Sequence, residues 1–188
     1  ANITAALDDS LRRLQTDYVD IYYSHEDDLK VPTEDTLGTY TEKISAGKIR
    51  YIAASQHSGA RLQHALDTAK ANNLASYIAL QDHYNLMTRN PFESEQQAVV
   101  AKNGLSALPF YGLAKGFLTG KYRPGVTVES VRAEAAKEYM TPTGWAIIDA
   151  LDAIAKNHGA SMSAVALAWL RSNPTVSAPI ASARTVEQ

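Results

Sequence analysis

The sequence of 188 residues contains no cysteine. This absence excludes a disulfide framework, a zinc site with cysteine ligands, an iron–sulfur cluster and a cysteine nucleophile. A chain without cysteine fits a reducing compartment, so we expect a cytoplasmic protein.

Long apolar runs and an excess of one charge are also lacking. No apolar stretch approaches the ~18 residues of a transmembrane helix, and the first residues form no signal-peptide pattern, so we expect no membrane partner. The 18 basic and 20 acidic residues leave a net charge of −2 and form no basic stripe, which argues against nucleic acid. With 45% apolar residues, the chain is typical of a globular protein, and its length over 1–188 fits one large domain or two small ones.

Strand and helix patterns alternate along the chain. The predicted strands are residues 18–24, 48–55, 77–81, 105–110 and 175–181. The predicted helices are 3–16, 33–46, 58–71 and 143–158, one that begins at Asn90-Pro91, a short one within 128–139, and a last one capped by Ser161. Strands that recur roughly every 30 residues with helices between them predict right-handed βαβ units and a parallel sheet.

Two architectures contain such units: an open doubly wound sheet and a (β/α)8 barrel. No predicted strand is followed by the glycine-rich motif G-x-G-x-x-G of dinucleotide-binding folds, which argues against the open doubly wound sheet. The barrel requires eight strands, whereas five are recognisable here, so a barrel would be incomplete in this chain.

Polar and aromatic residues follow the ends of the predicted strands. His25 comes after the first strand, Ser55 and Gln56 end the second, Gln81 ends the third, and Phe110 ends the fourth. Ligands of α/β proteins bind at the carboxyl ends of parallel strands. We therefore expect a binding site at this rim.

Four segments, in this order, resemble the aldo-keto reductase family: GKIRYIAAS, LQDHYNLMTR, FYGLAKGFLTGKYR and ALAWLRSNPTVSAPIASARTVEQ. The last two resemble bacterial members that are related to the potassium-channel β subunits. The resemblance covers roughly residues 7–188. It implies a (β/α)8 TIM barrel, of which this single domain carries the C-terminal part, and hydride transfer from NADPH to an aldehyde or ketone.

The resemblance places one member of the family's catalytic tetrad, His25, in this sequence. It implies that His25 orients the substrate carbonyl beside a tyrosine proton donor, which belongs to strand–helix units not found here. The alternative is a histidine at the end of a strand that only forms hydrogen bonds with local backbone groups. A metal site with Glu26, Asp27 and Asp28 is disfavoured because consecutive side chains on a strand point to opposite faces, and we predict no metal.

The resemblance also implies a cofactor site. Ser55, Gln56 and Gln81 map to the polar residues that hold the nicotinamide carboxamide, with Gln56 where the family usually has Asn. Phe110 maps to an aromatic ring that stacks on the nicotinamide. A loop hydroxyl for Ser55 and a core ring for Phe110 are the alternatives.

The phosphates of the cofactor are expected to meet two further segments. Tyr111, Leu113 and Lys115 match a loop along the pyrophosphate, although a solvated surface lysine is the alternative for Lys115. Ser182, Arg184 and Gln188 match the turn that grips the adenosine 2′-phosphate. Arginine suits that dianion, which favours NADPH over NADH.

Two other hypotheses about the function compete with that of a reductase. One is a regulatory protein, similar to the β subunits, that binds NADPH with little turnover. The other is a truncated fragment, which we expect to be inactive alone because the tyrosine donor is absent from this sequence. Missing units would leave barrel edges that two copies could cover, so a homo-oligomer is a further expectation.

Overall fold

A computed structural model describes residues 2–183. The chain divides into two compact units: Ala1–Gln81 with Glu93–Ser106, and Asp82–Phe92 with Ala107–Gln188. The single domain proposed for 1–188 stays a prediction, and the two units are described separately below. Among the helices of residues 2–183, none is both long enough and apolar enough to cross a membrane.

The first unit alternates strands and helices as predicted. Its elements are α1 (Asn2–Leu14), β1 (Val19–Ser24), α2 (Thr33–Ser45), β2 (Ile49–Ser55), α3 (Gly59–Ala71), β3 (Tyr77–Gln81) and α4 (Gln97–Lys102). The strand order is β1-β2-β3-β4, where β4 (Ser106–Ala107) begins at the last residue of this unit. β1 pairs with β2 and β2 with β3, both in parallel, so the α/β class with a parallel sheet is confirmed.

The core of the first unit follows from the spacing of its apolar residues. Leu7 and Leu11, four positions apart on α1, are buried, as are Ile49 and Ile52 of β2. Helix α3 begins where the sequence predicts, because the Ser58 hydroxyl accepts a hydrogen bond from a backbone N–H of the first turn at 3.3 Å.

The second unit is mainly helical. It contains a 3₁₀ segment (Ala114–Thr119), α5 (Ala133–Ala136), a 3₁₀ turn (Lys137–Tyr139), α6 (Pro142–His158) and α7 (Met162–Ser172). Helices α6 and α7 begin at the predicted places, since Thr141 and Ser161 each accept a hydrogen bond from a backbone N–H of the first turn. Phe117, Leu118, Ile148 and their neighbours form a buried apolar cluster in this unit.

The prediction of five strands is wrong, because the described residues form four. The predicted strand at 105–110 is reduced to the two residues of β4, and the predicted strand at 175–181 contributes one bridge, between Val176 and Ala107. Pro109 and Pro179 lack a backbone donor, which interrupts both ladders. The two segments still run together, since the N–H of Ile180 donates to the carbonyl oxygen of Pro109 at 2.7 Å.

Candidate functional site

The carboxyl ends of β1, β2 and β3 bring four of the expected site residues together in the first unit. Ser55 is 1% exposed and lies opposite Gln81 in the parallel register. Gln56 follows β2 directly, and its backbone N–H donates to the carbonyl oxygen of Gln81 at 3.4 Å. The side-chain Nε2 of Gln56 donates to the backbone oxygen of His25 at 3.1 Å. The parallel register thus assembles polar groups from three strands at one edge.

His25 is the first residue beyond β1, and it is exposed. Its contact with Gln56 uses the backbone oxygen, so this hydrogen bond does not engage the imidazole. The long side chain of Gln56 makes this hydrogen bond possible, because it reaches from the end of β2 to the end of β1. The glutamine that departs from the family pattern therefore links two strand ends.

An ion pair beside this edge was not anticipated from the sequence. The guanidinium of Arg61 donates to both oxygens of Asp27, at 2.6 and 3.0 Å, and also to the Thr33 hydroxyl at 3.2 Å. These hydrogen bonds hold the pKa of Asp27 below its usual value. The pair joins α3 to the segment after β1, close to His25. Its members are 34 positions apart, so no local pattern could have revealed it.

The carboxylate of Asp27 is thus held by Arg61. Within residues 2–183, no group of three or more His, Cys, Asp or Glu side chains is arranged to hold a metal ion. Buried His57 lies 3.9 Å from a carboxylate oxygen of Asp27, and its Nδ1 is 2.7 Å from the backbone oxygen of Ser55.

Asp27→Asn is expected to lower the free energy of unfolding at pH 7 by about 1–3 kcal/mol, because a charge-assisted pair with a carboxylate only 15% exposed is lost. The depressed pKa means that this stabilisation is present above the unfolded pKa of about 3.9 and disappears as the pH falls through the folded value. Urea unfolding of the wild type and the variant at pH 7 measures the loss of stability, and the same comparison at about pH 3 measures how far the difference has disappeared.

The matched control for this variant is Asp20→Asn. Asp20 pairs with Arg50 at 2.6 Å in the same unit, but both side chains are exposed. Exposed pairs contribute little, so this variant should unfold almost as the wild type does. Equal losses in the two variants would contradict the role assigned to Asp27.

The second unit contains the segment expected to contact the nicotinamide and the pyrophosphate. The ring of Phe110 stacks on the imidazole of His83, with centroids 5.5 Å apart and planes 20° apart. Tyr111 follows with a φ of +52°, a conformation unusual for a residue other than glycine. Leu113 packs against the apolar cluster of this unit, so its side chain serves the core.

Lys115 is paired rather than solvated. Its Nζ lies 2.8 Å from Glu138 Oε1 and 5.6 Å from the ring centre of Tyr111. The hydrogen bond from Lys115 lowers the pKa of Glu138. A phosphate at Lys115 would therefore have to compete with a carboxylate that already holds it.

Sequence reasoning also missed a cluster of hydrogen-bonding side chains beside Phe110. The Tyr139 hydroxyl lies 3.3 Å from His83 Nε2 and 3.4 Å from the Thr88 hydroxyl. Burial raises the pKa of Tyr139 to about 12, and burial with the charge of Lys115 lowers the pKa of His83, so both groups are neutral at pH 7. They line a cavity of about 700 Å³. The only sequence signal was the motif LQDHYNLMTR, which contains His83.

Of the three residues expected at the 2′-phosphate, the structure describes one. Ser182 is described and exposed. Arg184 and Gln188 lie outside the described residues, so their assignment stays a prediction.

Comparisons with known proteins agree with this fold. The sequence matches the aldo/keto reductase family over residues 1–188. It is 34% identical to an aldo-keto reductase of Alternaria alternata, covering 100% of this chain and 51% of that protein. It is 31% identical to the L-glyceraldehyde 3-phosphate reductase of Escherichia coli strain K12, over 99% and 56% of the two chains.

A solved structure shows the same architecture. The glycerol dehydrogenase of Gluconobacter oxydans superposes with a TM-score of 0.84 at 24% identity, over 97% of this chain and 55% of that one. The fold class is that of the (β/α)8 barrel, as predicted. The chain spans about half the length of these relatives. By the match along its whole sequence, the chain belongs to the aldo/keto reductase family.

Proposed function

We propose that this chain carries the cofactor-binding part of an oxidoreductase that transfers hydride from NADPH to an aldehyde or ketone. The observation that carries the proposal is the edge of the first unit, where His25, Ser55, Gln56 and Gln81 meet at the ends of three parallel strands. Family membership supports the same class of reaction.

The polar groups of this edge suit a nicotinamide carboxamide. An amide offers two donors and an acceptor oxygen, which hydroxyl and amide side chains such as Ser55 and Gln81 can satisfy. The exposed imidazole of His25 supplies an N–H for the substrate oxygen, and such a donor stabilises the negative charge that develops there during hydride transfer.

For the second unit taken by itself, the family resemblance assigns a stacking ring and a phosphate partner. Phe110, which is held against His83, is the residue assigned to stack on a nicotinamide. Lys115 provides a cation for the pyrophosphate, which would take the place of Glu138. Arg184 is assigned to the 2′-phosphate that distinguishes NADPH from NADH.

Arg184→Ala is expected to weaken NADPH binding roughly 10- to 150-fold, because one charge-assisted phosphate contact is lost. NADH lacks that phosphate, so its affinity should hardly change. Fluorescence titration with both cofactors measures this.

Arg171→Ala, which removes an exposed arginine of α7, is the matched control and should bind both cofactors as the wild type does. Equal losses for NADPH and NADH in Arg184→Ala would defeat the assignment. NADPH binding without aldehyde reduction by a longer protein that contains this chain would favour a regulatory role instead.

A further inference from the structure

Asn85, in the second unit, uses every hydrogen-bonding position of its side chain. It is 0% exposed. Its Oδ1 accepts from the backbone N–H groups of Met87 and Thr88, at 2.8 and 2.9 Å. Its Nδ2 donates to the backbone oxygen of Tyr111 at 2.9 Å and lies 3.2 Å from Nε2 of His83. A primary amide has two donors and two acceptor positions, so nothing is left over.

The orientation of this amide determines the state of His83. Two backbone N–H groups point at Oδ1, so the NH₂ group of Asn85 must face Tyr111 and His83. The Nε2 of His83 then accepts a hydrogen bond, and the proton of the neutral ring lies on Nδ1. The charged groups around the ring are Lys115, Glu138 and Asp82. Lys115 disfavours a second proton.

The same amide supports the backbone of Tyr111. A tyrosine with φ of +52° is strained and persists only where its surroundings hold it. Asn85 holds the carbonyl of Tyr111, and the N–H of the preceding Phe110 donates to the backbone oxygen of Asp82 at 3.0 Å. The segment is thus fixed on both sides of the strained residue.

We infer that Asn85 is a positioning residue for the nicotinamide: it holds the Tyr111 carbonyl and the His83 ring, and through them the ring of Phe110. The inference rests on the proposed function, which places Phe110 against a reduced nicotinamide. Asn85 is fully buried, so in this role it acts through the stack of His83 on Phe110.

Asn85→Asp tests this role with almost no change of shape. The carboxylate keeps one acceptor for the N–H groups of Met87 and Thr88, but it places an anionic oxygen against the Tyr111 carbonyl and His83 Nε2. We expect His83 to gain a proton on Nε2, so that its pKa rises by at least one unit in an NMR titration of the imidazole signals. NADPH affinity should fall about tenfold, since the hydrogen bond to the Tyr111 carbonyl is lost and an anionic oxygen repels that carbonyl instead.

His83→Ala is the second variant, and it keeps the inference testable if Asn85→Asp fails to fold. It removes the ring beneath Phe110 but keeps the bond from Asn85 to Tyr111, and it should weaken NADPH binding about 2- to 10-fold. Asn103→Asp, which adds a similar charge on an exposed asparagine, is the control and should bind NADPH normally.

The outcomes separate this inference from the proposed function. If the wild type binds NADPH and both variants bind it equally well, the positioning role is overturned while the proposed function stands. An unchanged His83 pKa in folded Asn85→Asp also overturns the role, because the amide then does not control the ring. Failure of the wild-type chain to bind NADPH, with the expected His83 shift present, counts against the proposed function instead.

Discussion

Replacing Phe117 by alanine is expected to lower the free energy of unfolding by about 3–5 kcal/mol. Phe117 is 0% exposed, and its ring lies 5.2 Å from that of Trp145 and 6.0 Å from that of Tyr139. Truncation removes the buried ring and leaves a cavity among rigid neighbours, which relax only in part. Urea unfolding followed by the fluorescence of Trp145 and Trp169, both in the second unit, measures the loss.

The control for Phe117→Ala is Val131→Ala, since Val131 belongs to the same unit and is 87% exposed. This variant should differ from the wild type by less than about 0.5 kcal/mol. A loss of under about 1 kcal/mol for Phe117→Ala would mean that the cluster is not the stabilising core of the second unit.

His25→Ala is expected to slow carbonyl reduction about 10²- to 10³-fold, in a protein that contains this chain and the tyrosine donor that the family resemblance implies. The lost imidazole would no longer stabilise charge on the substrate oxygen. NADPH affinity should change little, because Gln56 bonds to the backbone oxygen of His25, which alanine retains. Single-turnover reduction of an aromatic aldehyde and a separate NADPH titration distinguish the two effects.

His64→Ala removes an exposed histidine of α3 and serves as the control, with no expected change in rate. An equal rate of reduction in His25→Ala and the wild type would show that His25 has only a local structural role at the end of β1. A large loss of NADPH affinity would assign it to the cofactor instead.

Local signals predicted most helices well. Ser58 and Ser161 begin helices where expected because capping depends on a hydroxyl and a backbone N–H only three residues apart. The helix predicted at 143–158 is α6, Pro142–His158, because its apolar residues recur with helical spacing. Such signals need no information from distant parts of the chain.

The strands near the carboxyl end were predicted less well. The segments at 105–110 and 175–181 have the apolar composition of strands, yet they form β4 and a single bridge. Ladder formation depends on a donor in each partner at matching positions, and Pro109 and Pro179 remove two of them. Composition alone does not give that register.

The sequence by itself determined the family through the order of its four motifs and the α/β class through its alternating strand and helix patterns. It also placed His25, Ser55, Gln56 and Gln81 at the ends of strands, because a strand's carboxyl end is a local property. Only the tertiary structure decided which side chains meet. Asp27 finds Arg61 across 34 positions, and Tyr139 finds His83 across 56. Likewise, whether Lys115 is solvated depends on Glu138, 23 positions away. Hydrogen bonds and ion pairs act over about 3 Å, so they depend on the folded path of the backbone rather than on spacing along the chain.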